Sequence, residues 1–113
     1  MHSEDQRTIR DCLRAAVDGP FFPDWEFQTL IGLERDDVAA VVAEWPESSR
    51  PDNQALAVNN VLTNLLSYAH GTSRETWHRF IGAAPREVAE VLARWRGEEG
   101  QNPSAENYFK RLM

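Results

Sequence analysis

The side chains in this 113-residue chain able to carry out chemistry are one cysteine, three histidines and eighteen acids. Metal binding needs closely spaced ligands, and His2, His70 and His78 form no such cluster with Cys12 or with paired carboxylates. A cysteine nucleophile needs a neighbouring base and an acid to orient it. Cys12 instead lies between Ile9 and Leu13 on an apolar helix face, where a small core residue belongs. The glycines are isolated, so no phosphate-cradling loop is written. Paired carboxylates are frequent, but an acidic surface supplies them by chance. The expectation is a protein without catalysis, metal or cofactor, whose chemistry is electrostatic recognition.

The acids are unevenly placed. Residues 18–52 carry nine of them against only Arg35 and Arg50. Steering charge around an aromatic anchor is how a docking face attracts and then holds a basic partner. Phe22, Asp24, Trp25, Asp36, Asp37 and Glu44 are the expected partner-binding set. Asp36 and Asp37 also have a local use, since acids in a first helical turn complement the helix dipole. Phe21 and Phe22 read either as a plug between two packed halves or as an exposed anchor beside the acids.

Helices must position these residues. Ser3 can cap a first helix whose stripe is Ile9, Cys12, Leu13, Ala16 and Val17. After the loop "DGPFFPD" come the short helix "WEFQTLI" and then "RDDVAAVVAEW", with Val38, Val41, Val42 and Trp45 at i, i+3, i+4 and i+7. Pro46 stops that helix. The longest helix begins near Asp52 and runs through "NQALAVNNVLTNLLSYAH". Thr72 and Glu75 suggest a capping box for "RETWHRFI", and Pro85 suits the first turn of "PREVAEVLARW". Gly19, Gly32, Gly71, Gly82 and Gly97 stand where helices end. A last helix is expected over 104–113, with Tyr108, Phe109, Leu112 and Met113 on one side.

The phrase "IGLERDDVAAVVAEW" at 31–45 returns as "IGAAPREVAEVLARW" at 81–95. Each half reads long helix, short helix, glycine, helix ending in Trp. The expected fold is therefore all-α: one domain over 1–113, a compact bundle of six or seven helices built from two degenerate repeats, 3–45 and 52–95, with a period of about 50 residues.

The fourth helix lacks Asp, Glu, Lys and Arg from Asn53 onward through Ser67. Its amides are expected to fasten loop backbone, Asn60 and Asn64 serving "DGPFFPD", with a ligand site as the sharper alternative.

A hydrophobic content of 42% and a charged content of 27% mark a globular chain, and a net charge of −6 disfavours nucleic acid. One unpaired cysteine fits a reducing, cytoplasmic setting, and no apolar run is long enough for a membrane span. These features converge on a small acidic protein-binding module with a basic protein partner. Its concrete form is an immunity- or antitoxin-type inhibitor of a basic effector, and a homodimer is compatible with it. The alternative is a helix-turn-helix DNA-binding protein using residues 74–96, where Arg79, Arg86, Arg94 and Arg96 cluster.

Overall fold

The buried side chains show first which helices sit at the centre. Ile9, Cys12, Leu13 and Ala16 on one helix, and Val58, Val61, Leu62 and Leu65 on another, are all shielded from solvent. Both sets follow the i, i+3, i+4, i+7 spacing that puts apolar residues on one helix face. The computed structural model describes residues 3–68 and 73–99. Among these there are six helices and no strand: α1 (Ser3–Asp18), α2 (Asp24–Ile31), α3 (Arg35–Glu44), α4 (Pro51–Ser67), α5 (Arg74–Phe80) and α6 (Pro85–Glu99). The helix expected over 104–113, like His2, His70, Gly71 and Thr72, lies outside the described residues.

The central helices α1 and α4 pack on each other. Helix α1 also meets α3, α5 and α6, while α4 meets α2, α3 and α6. Ile31, Val38 and Val41 close the core from one side, and Ile81, Val88, Val91, Leu92 and Trp95 close it from the other. All six helices contribute to one contiguous apolar cluster in a compact all-helical body. Burying each of these larger aliphatic side chains contributes about 1.5–3 kcal/mol.

Helix ends follow the expected punctuation with three differences. Gly32 takes the left-handed conformation, φ 82°, and its N–H donates to the Gln28 carbonyl at 2.8 Å, as a C-terminal glycine does. Trp45, the residue before Pro46, leaves the helical region as the proline ring demands. Helix α5, however, stops at Phe80 with Ile81 extended, one residue before Gly82. Gly97 is no stop at all, since α6 continues to Glu99; one exposed helical glycine costs only about 1 kcal/mol. The cap of α5 is Ser73, whose Oγ accepts from the Thr76 N–H at 3.2 Å.

The amides of α4 do fasten backbone, though not the loop expected. Asn60 Nδ2 donates to the Ile31 carbonyl at 2.7 Å and Asn64 Nδ2 to the Leu30 carbonyl at 3.0 Å. They satisfy the open carbonyls at the end of α2, which no further helical turn could reach. "DGPFFPD" is held by a different residue, described next.

Candidate functional site

Helix α2 has only two turns, and its core face takes Phe27 and Ile31. Residue 25 then projects from the opposite side. Trp25 is 79% exposed, the one large hydrophobic side chain left in water among the described residues. Its neighbours are acids in the first turn of α2. Glu26 accepts a hydrogen bond from the Tyr68 hydroxyl, which holds the phenol above its ordinary pKa. The carboxylate of Asp24 is 94% exposed and lies 2.7 Å from Arg35 Nη2.

Arg35 organises this side of the protein. Nη1 donates to the carbonyls of Ala16 and Val17 at 2.9 and 2.8 Å, and Nη2 donates to the Phe22 carbonyl at 3.1 Å. The guanidinium also lies 4.5 Å over the Phe27 ring. Helix α1 has no basic residue in its last turn, so Arg35 supplies from α3 the positive charge that its terminal carbonyls favour. One planar fork thus ties together α1, the 19–23 loop and α2. Its consequence for recognition is direct: one of the two arginines in the acidic segment is committed internally.

The other expected site residues divide into two groups. Asp36 is exposed beside Arg35 at the start of α3. Asp37 is half of a reciprocal cap: its carboxylate accepts from the Glu34 N–H at 3.1 Å, while Glu34 accepts from the Asp37 N–H. Glu44 accepts from the backbone N–H and the hydroxyl of Ser49, both at 2.9 Å, fixing the 46–50 loop. Eight residues separate Asp36 from Glu44, about 12 Å along the helix, so Glu44 stands apart from Trp25. Phe22 is a correction. It is only 3% exposed and packs on Phe27 and Tyr68, with ring centroids 6.3 and 6.0 Å away. A ring so placed holds the core, and Trp25 is left as the aromatic anchor.

A shallow groove of about 670 Å³ runs beside this face, lined by the 17–24 segment, Arg35 and Tyr68. Burial pushes the Cys12 thiol far above its ordinary pKa, with Asp11 adding to the shift; a thiol so protonated is a poor nucleophile. Among the described residues no group of three or more His, Cys, Asp or Glu is placed to hold a metal, and no helix is long and apolar enough to cross a membrane. The residues that reading in sequence missed are Arg35 as a loop clamp, and Arg94 and Arg96 as internal ties. Arg94 makes a bidentate pair with Asp5 at 2.8 and 3.0 Å, and Arg96 donates to Asn59 and Thr63.

The bonds around Glu44 carry a pH prediction. The Ser49 backbone and hydroxyl donors, in that order, hold its carboxyl below the ordinary value. A carboxylate depressed in the folded state stabilises above its unfolded pKa, and that contribution is lost as pH falls through the folded pKa. Glu44→Gln should therefore melt below the wild type at neutral pH, with the gap closing in acid. Thermal midpoints of both proteins across the carboxylate range test this. A gap that stays constant with pH would exclude the charged hydrogen bonds as its source.

Comparison with models of protein families, with curated proteins and with solved structures finds no match to this chain.

Proposed function

We propose that this protein is a small acidic, non-enzymatic protein-binding module whose docking face is the α2–α3 side, anchored by Trp25. The observation that carries this reading is the exposed indole among carboxylates. Exposing one large aromatic ring forgoes its burial, and buried Trp anchors are frequent at the centre of interfaces. Asp24 and Asp36 supply steering charge, and Asp37 and Glu44 hold the backbone that presents them. Covering the cleft of a basic effector, as an immunity- or antitoxin-type inhibitor does, is the concrete form of this reading.

We also infer that residues 3–45 and 52–95 are degenerate copies of one unit. Three pairs fifty residues apart support this by their matching burial: Ile31 with Ile81, Val38 with Val88 and Val41 with Val91. Each central helix packs on the last helix of its own half and the short helix of the other, α1 on α3 and α5, α4 on α6 and α2.

Capture from cell lysate tests the docking face, with wild type, Trp25→Ala and Asp36→Lys immobilised side by side. Basic proteins should be retained by the wild type, released as salt rises, and depleted on both variants. Equal retention on all three would overturn the reading. The helix-turn-helix alternative has lost Arg94 and Arg96 to internal pairs, which leaves Arg79 and Arg86. It predicts instead that Arg86→Ala abolishes retention of nucleic acid.

A further inference from the structure

We propose that the pocket between α1 and α5, lined by Asp11, Arg14, Asp18, Arg79 and Phe80, receives Trp25 of a second copy of this chain. The proposal rests on the docking reading of the Trp25 face and names one partner for it. The pocket measures about 270 Å³, room for one aromatic side chain. Its chemistry suits an indole flanked by acids. Arg14 and Arg79 are both exposed, and neither has an ion pair within the chain among the described residues. A guanidinium stacks on an indole face and pairs with a carboxylate at its edge. Phe80, half-buried against Phe21, offers an aromatic wall.

The carboxylates are assigned too. Asp11 lies 3.3 Å from the Gly82 N–H, which donates to it. Asp18 is exposed at the rim, where it can accept from an indole N–H, a donor that must find a partner when buried. The matching ligand is an aromatic ring followed and preceded by acids, and the chain presents that as "DWE" at 24–26. Asp24, almost fully exposed, stands ready to pair with Arg14 or Arg79.

Two surfaces of different composition meet in such a contact, so it is heterologous, and each copy keeps one donor face and one pocket. Local pairing must also overcome repulsion between two chains of net charge −6. The expected association is therefore weak and visible only as concentration rises.

Sedimentation velocity on the full chain tests this with two variants, Trp25→Ala and the double reversal Arg14→Glu with Arg79→Glu. Wild type should associate with rising concentration, and Trp25→Ala should weaken that association at least about thirtyfold, the loss typical of an interface hot spot. Each variant alone should sediment as a monomer. Mixed, they should form a one-to-one complex that grows no further, because only one donor face and one pocket survive between them. Arg79→Ala carries the same comparison if the double reversal does not fold. A wild type that stays monomeric to its solubility limit overturns the inference. So does a charge-reversed variant that associates like wild type, or a mixture that stays monomeric. The docking reading is judged separately: loss of basic lysate proteins on Trp25→Ala would uphold it even if every self-association arm failed.

Discussion

Arg35→Ala should lower the unfolding free energy by about 3 kcal/mol, a larger loss than any other surface-accessible substitution on this chain. The guanidinium serves four acceptors: the carbonyls of Ala16, Val17 and Phe22 and the Asp24 carboxylate. Hydrogen bonds to a charged group contribute about 1.5–3 kcal/mol each, and bonds made by one group do not add in full. Removing the fork leaves three part-buried carbonyls, two at the end of α1 and one in the 19–23 loop, to find water. It also uncovers the face of Phe27. The midpoint of thermal unfolding should fall on the order of 10 °C, since a small domain moves several degrees per kcal/mol. Arg35→Lys separates charge from geometry. A single ammonium keeps the positive end near α1 but cannot span acceptors on three segments, so it should recover less than half of the loss. An alanine variant that melts with the wild type would show that loop packing alone holds 19–23 in place.

That clamp marks the boundary of what periodicity can convey. The stripes of α1, α3, α4 and α6 were legible because apolar spacing reports directly which face of a helix is buried, and Ile9, Val38, Val58 and Val88 are fully enclosed as that spacing requires. Pro85 opening α6 and Gly32 closing α2 were legible for similarly local reasons. Arg35 was not. In sequence it stands beside two aspartates and reads as one charge in an acidic run, whereas its partners lie 11 to 19 positions away. The same holds for Arg94, which seemed one of several basic residues along a DNA-facing helix. Its carboxylate partner, Asp5, lies 89 positions earlier and is buried. Long-range polar pairs leave no periodic trace, and no signal short of the fold would have found them.

The same contrast sorts the acidic segment. Sequence reading treated Asp36, Asp37 and Glu44 alike because charge density is a property of a window. The structure gives Asp37 a cap to hold and Glu44 a loop to hold, while Asp36 and Asp24 face solvent near Trp25. Substituting Asp37 or Glu44 therefore mixes stability with binding. Asp36 and Trp25 are the positions where a loss of partner binding reports on the surface itself.

The largest loss of all should come from Phe21→Ala, about 4 kcal/mol, within the range for truncating a fully buried aromatic residue. The ring stands edge-on to Trp77 and Phe80, with centroids 5.9 Å from each, and so ties the α1–α2 loop to α5 in the other half of the chain. The backbone leaves little slack for a substitute to settle. Gly19 lies so close that a Cβ there would sit 3.0 Å from the Phe21 ring and 2.6 Å from the Ala15 carbonyl. The cavity left by alanine would thus be bounded by α1, a loop pinned through Arg35, and two aromatic rings with no other neighbour to turn toward. Phe21→Leu keeps most of the volume and should cost less than half as much. Denaturant unfolding gives both magnitudes, and the near-ultraviolet circular dichroism of Trp77 gives the location, since loss of its edge-on neighbour should flatten that signal. Phe22→Leu completes the comparison. A core residue replaced by one of similar bulk should leave capture of basic proteins unchanged, whereas Trp25→Ala depletes it. If instead Phe22→Leu weakened capture while the fold stayed intact, the anchor would be a ring that emerges from the core on binding, and the loop held by Arg35 would have to open to release it.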